Sequence, residues 1–253
     1  MDAASSPARR DALYFVVGPS LITLAAAAAF WIRPWAVPIP SQAQVLQPAP
    51  VVGVLLLGVL GAWFSSRAGL PSAPSIRDTA QWRRLLLVAV GSGLVFGVFL
   101  FWLDAATGLT VAASKALGVS WINVPLPQSL AHYGAAAVLL ECVYRIIPIT
   151  LLGWLIGRVL LKGRADGAVF WVLAVLTSLL EPASALGLAR PGAAASLALL
   201  MAVVFAANLF EAVELRRHGW PAPILFRMAF YGVWHCFGPY VVSPHSMLYP
   251  GPH

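Results

Sequence analysis

Charge is what this sequence has least of. Only 10% of its 253 residues are Asp, Glu, Lys or Arg, against 60% hydrophobic, whereas a soluble domain carries about 25% charged residues. So little polar surface excludes a soluble fold of this length, and a bilayer is the solvent that accepts the apolar excess. Cysteine is nearly absent as well. Cys142 and Cys236 both sit in apolar runs, which excludes a disulfide framework or a cysteine zinc site and leaves two small buried side chains. Lysine is confined to Lys115 and Lys162, in expected loops. A retinal Schiff base, which needs a lysine within a span, is thereby excluded. Histidines at membrane depth are few. His132 and His235 both fall near span ends, which argues against haem, and no cofactor is expected. No cleaved leader is expected either, because the first apolar run is long and lacks a small-x-small site before a soluble domain.

What is present is a series of apolar stretches of near-spanning length: Ala12 to Ile32, Val51 to Phe64, Leu85 to Leu103, Ala131 to Leu161, Gly167 to Leu186, Ala193 to Ala212 and Ile224 to Val242. Backbone groups in lipid must bond within their own segment, so these are expected helices. The expected fold is all-α, a polytopic bundle of about seven spans. Its divisions are 1–130 with about three spans, a four-helix membrane core over 131–243, and a tail over 244–253. A proline-rich turn follows Arg33, a polar loop with four arginines runs from Arg67 to Arg84, and a short interfacial helix fits near Ala112 to Leu117. Trp31, Trp35, Trp63, Trp102, Trp121 and Trp220 flank spans, as expected of headgroup-level indoles.

The net charge of +7 does not imply nucleic acid, because the basic residues form short clusters between apolar runs rather than one basic face. With the N-terminus in the cytoplasm, Arg9, Arg10, Arg67, Arg77, Arg83, Arg84, Arg158, Lys162, Arg164, Arg216 and Arg217 lie inside, and only Arg33, Lys115 and Arg190 lie outside. That asymmetry predicts a cytoplasmic N-terminus in a bacterial inner membrane. Two arginines remain, Arg145 and Arg227, and both fall within expected helices.

An ionised group at the bilayer centre costs roughly 2.5–3.5 kcal/mol even on lenient scales. Glu141, Arg145, Glu181, Arg227 and His235 occupy such positions, and Glu211 lies near the end of its expected span. Glu141 and Arg145 are four apart and share a helix face, with Tyr144 close by. Arg227, Tyr231 and His235 repeat at intervals of four and make one polar stripe. Glu181, just before Pro182, is the expected partner of Arg227. These groups serve either as packing glue between helices or as the lining of a polar cavity.

The segment Leu139-Leu-Glu-Cys-Val-Tyr-Arg145 resembles the first motif of the CPBP family, the CAAX-protease and bacteriocin-processing intramembrane peptidases. That motif is a glutamate pair, three residues and an arginine; here Glu141 and Arg145 match, and Leu140 stands at the first glutamate. Downstream, Thr177-Ser-Leu-Leu-Glu181 stands where the family has Phe-x-x-x-His. Arg227-Met-Ala-Phe-Tyr231 stands where it has His-x-x-x-Asn/Asp. The resemblance covers about Val138 to Phe237. It implies intramembrane peptide hydrolysis, in which a glutamate activates water, a histidine assists and a His/Asn pair stabilises the oxyanion.

With most of those positions replaced, the expectation is a degenerate member that binds a transmembrane or lipidated segment as a scaffold or chaperone. Its partners would be membrane lipid and such a peptide or protein, with no nucleic acid. The candidate site residues are Glu141, Arg145 and His235 for catalysis and Glu181, Arg227, Tyr231 and Tyr144 for binding. Two alternatives stand beside this expectation. One is an active peptidase using Glu141 and His235. The other is a small transporter that uses the polar stripe as a path.

Overall fold

A computed structural model describes residues 6–119, 121–190 and 194–241; the proposed tail over 244–253 lies outside the described residues. The chain is an all-α polytopic bundle of about seven spans, with no strand among the described residues. Six helices are long and apolar enough to cross a membrane. They are α1 (Pro7–Ile32), α3 (Pro48–Ser65), α4 (Thr79–Thr107), α6 (Gln128–Leu160), α7 (Asp166–Leu188) and α8 (Ala194–His218). Two short helices, α2 (Pro40–Val45) and α5 (Leu109–Leu117), lie between spans. The expected seventh span, α9, begins at Pro221–Tyr231 and continues through Gly232–Phe237 into Gly238–Val241.

Helix ends follow local chemistry. Asp78 caps α4 by accepting from Gln81 N at 2.9 Å, and Gly108, with φ of 67°, ends it in the left-handed region that glycine adopts without a Cβ clash. At 29 residues α4 is about 43 Å long, more than a hydrocarbon core needs. Wide π-type turns interrupt α1 at Val16–Ser20, α6 at Cys142–Ile146 and α9 at Gly232–Phe237. Each of these contains or precedes a proline (Pro19, Pro148, Pro239), which lacks the N–H for the regular ladder and crowds the preceding turn, whereas a further wide turn of α6 at Gly153–Leu160 has none.

The exposed and buried sets are inverted relative to a soluble protein. Leu56, Leu87, Val95 and Trp102 are exposed, while Asp11, Glu141, Arg145, Asn208, Glu211 and Arg227 are buried. This is the distribution expected when the outer solvent is lipid. The seventh helix fits the same logic. It is less apolar than the others because protein covers much of it: Ile224, Phe226, Arg227, Phe230, Tyr231, Trp234 and Cys236 are buried.

Small residues let α4 and α9 approach closely. A Cβ on Gly93 would lie 2.4 Å from the Phe226 carbonyl oxygen, and one on Gly97 would lie 3.1 Å from Phe230 Cα. Gly238 in turn lies against Phe101. Contacts therefore advance in the same order along both helices, so α4 and α9 run parallel. The third and seventh spans of an alternating bundle must do the same. At the start of α1, Asp11 accepts from Ala73 N at 2.9 Å, Arg10 donates to Ala73 O at 2.9 Å, and Tyr14 Oη accepts from Ile76 N at 2.9 Å. These bonds fold the arginine-rich loop back onto the bundle. Trp220, which directly precedes α9, is buried against Phe15, with ring centroids 5.3 Å apart.

Candidate functional site

Four helices meet at one buried ionic cluster. From α6 come Glu141 and Arg145, one turn apart, with Arg145 set within the π-type turn. From α7 comes Glu181, from α8 Asn208 and Glu211, and from α9 Arg227 and Tyr231. The Arg227 guanidinium is fully engaged. Its Nε donates to Glu141 Oε1 at 2.6 Å and to Glu211 Oε1 at 3.1 Å. Its Nη1 donates to Glu181 Oε1 at 3.2 Å and Tyr231 Oη at 2.9 Å. Its Nη2 donates to Glu181 Oε2 at 3.1 Å and to Asn208 Oδ1 and Glu211 Oε2, both at 2.8 Å. A planar, permanently charged fork suits this many acceptors; a lysine ammonium does not.

Arg145 is the second cation. Its Nη1 lies 3.2 Å from Glu141 Oε1, its Nε donates to Asn208 O at 3.2 Å, and its Nη2 donates to Asn208 Oδ1 and Glu211 Oε2. Asn208 is therefore a hinge of the network, with its side-chain oxygen accepting from both arginines. Its Nδ2 donates to Ser178 O at 3.2 Å. That carbonyl would ordinarily accept from the N–H four residues on, but this residue is Pro182, which has none. Asn208 thus satisfies the backbone acceptor that the proline of α7 leaves open, and holds α8 against α7.

The expected Glu181–Arg227 and Glu141–Arg145 pairs are both formed, but each is part of one larger cluster. Three carboxylates face two guanidinium groups. Fully ionised, the cluster carries one negative charge in excess. Glu141 and Glu211 have no side-chain exposure, whereas Glu181 is 20% exposed.

Glu181 borders a cavity of about 500 Å³, which is walled mainly by apolar side chains from α4, α6, α8 and α9 and reaches the short helices α2 and α5. Leu140, the position of the missing motif glutamate, lines it too. His235 also lines this cavity but does not contact Glu141. Its Nδ1 pairs with Asn123 Oδ1, and its ring stacks on Tyr133 at 4.4 Å. It meets the cluster only through Tyr231, ring edge to ring face at 4.9 Å. Tyr144 turns away from Glu141 and pairs with Ser184 Oγ at 3.4 Å, at the cavity wall. No group of three or more His, Cys, Asp or Glu suited to a metal is found among the described residues.

Sequence reasoning missed Asn208 and undervalued Glu211. Their three-residue spacing on one helix face was the available signal. It was hidden because the sixth span was expected to end at Ala212, whereas α8 runs on to His218 and places Glu211 well inside the helix. Compared with known proteins, the chain matches no family model, no curated protein and no solved structure.

Proposed function

We propose that this chain is a CPBP-like integral membrane protein that binds a lipidated or transmembrane peptide segment without hydrolysing it. One observation carries the reading. Glu141, the residue that matches the motif glutamate, has its Oε1 held between Arg227 and Arg145. The whole side chain is buried and does not line the cavity, so it is not presented to a water or substrate there as a general base must be. The other groups that hydrolysis needs are replaced: Leu140, Glu181, Arg227 and Tyr231 stand at the motif positions. What persists is an apolar cavity with a polar end, the general form of a ligand site.

The test is to incubate the purified protein in lipid with prenylated and transmembrane peptides and follow them by mass spectrometry. Intact peptides in every reaction are expected. Cleavage that disappears in Glu141→Gln, with the fold retained, contradicts the reading.

The same reading places the chain in a bacterial inner membrane with its N-terminus in the cytoplasm. It is supported by the asymmetry of lysine and arginine between alternate loops.

A further inference from the structure

The cluster and the cavity have opposite needs, and one kind of ligand meets both. The cluster lacks one positive charge. Arg145 has no side-chain exposure and Arg227 only 2%, so neither guanidinium is open to an anion. The sole carboxylate with exposure is Glu181, at the cavity wall. An anionic head group entering here would meet excess negative charge and no free cation. A positive one would meet Glu181 in surroundings where charge interactions are poorly screened.

Independent of the charge count, the same cavity holds buried polar atoms without partners. His132 Nδ1 and Trp234 Nε1 have no hydrogen-bond partner among the described residues, and both side chains are more than nine-tenths buried and line this cavity. An unmade hydrogen bond on a buried group costs about 1–3 kcal/mol, so both atoms point to a ligand with polar groups of its own. Between them and Glu181 the wall is apolar, with Leu139, Leu140, Val203 and Phe230.

We propose that the cavity binds a monocationic amphiphile. Its ammonium group pairs with Glu181, its apolar body lies along Leu140 and Val203, and a polar group reaches His132 and Trp234. The titratable groups that line the site are Glu181 from α7, His132, Tyr133 and Tyr144 from α6, and Arg227, Tyr231 and His235 from α9; Glu141, Arg145 and Glu211 lie behind them, in one cluster with Arg227. This inference rests on the reading of the cavity as a binding site, but not on kinship with peptidases. On that reading it assigns the bound segment a cationic group beside its apolar chain.

The test uses the full chain in lipid nanodiscs, titrated calorimetrically with octylamine, octanol and octanoate against empty discs. Octylamine is expected to bind about tenfold or more tightly than octanol, with octanoate weakest. Glu181→Gln keeps an acceptor for Arg227 and brings the cluster to charge balance. It is expected to fold, to lose the preference for octylamine and to retain octanol. Val203→Trp fills the cavity and leaves all five charged groups in place; it is expected to abolish binding of both. Equal binding of octylamine and octanol by the native chain, or an unchanged preference in Glu181→Gln, overturns the cationic proposal while leaving a binding cavity. Absence of any binding above empty discs, or full binding by Val203→Trp, overturns the binding reading itself.

Discussion

Arg227 does the work of several residues. It joins three carboxylates, an amide and a phenol from four helices, and nothing else on α9 can replace it. Arg227→Ala would leave three carboxylates facing Arg145 alone. Removing one partner from a buried ionic group typically costs about 3–5 kcal/mol, so a marked fall in folded yield is expected by fluorescence-detected size exclusion. Arg227→Lys should fare little better, since a point charge cannot reach acceptors on four sides. Glu181→Gln should be tolerated, because it removes the excess charge and keeps the bond. A folded yield of Arg227→Ala equal to the native protein would show that the cluster does not hold the bundle. The ion pairs were legible at this scale: the spacing of Glu141 and Arg145 and the isolation of Arg227 in an apolar run are properties of the chain itself. The gathering of all three carboxylates around Arg227 was not legible, because distances between helices depend on packing rather than on spacing.

Two features decide how the helices fit. The first is the glycine face of α4, where Gly93 and Gly97 meet the backbone of α9. Small residues permit this approach, and lipid offers no hydrophobic force to make up for its loss. Gly97→Val is expected to abolish monodisperse folding, whereas Gly91→Ala, with nothing within 4 Å of its Cβ position, should be neutral or slightly stabilising. Thermal unfolding of the two variants in one detergent checks the contrast; equal midpoints would deny the close contact. The second feature is the match between Pro182 and Asn208. Asn208→Leu orphans the Ser178 carbonyl and both arginine contacts, while Pro182→Ala restores a backbone donor for that carbonyl. The double variant should therefore lose less stability than the sum of the single variants. Strict additivity would separate the two sites. Span number and order could be read from hydropathy, with ends displaced by a few residues where polar side chains continue a helix. Thus α8 runs past Ala212 because Glu211 and Glu214 face protein rather than water. The match of Pro182 with Asn208 joins residues far apart in sequence, so no local pattern announces it.

The described residues place an ionic cluster inside and apolar side chains outside, with a polar-ended cavity beside the cluster. Alternation of seven spans, with α4 and α9 parallel, makes the topology testable on a quiet background, since Cys142 and Cys236 are free and buried. Ile76→Cys and Lys115→Cys, both at exposed positions, should label from the cytoplasmic and external sides respectively with an impermeant maleimide. Labelling of both from one side would overturn the proposed orientation. Composition alone was enough to place the chain in a membrane. The cavity was not legible, because it forms where side chains from distant segments fail to fill space. Its use is tested most directly by placing a photoreactive benzoylphenylalanine at Leu140, which lines the cavity beside Glu141, and illuminating the protein with a prenylated peptide in lipid. An adduct of protein and uncleaved peptide is expected, competed away by excess unlabelled peptide. Adducts carrying only a peptide fragment, or none above those formed by a probe on the lipid-facing side at Val95, would contradict it.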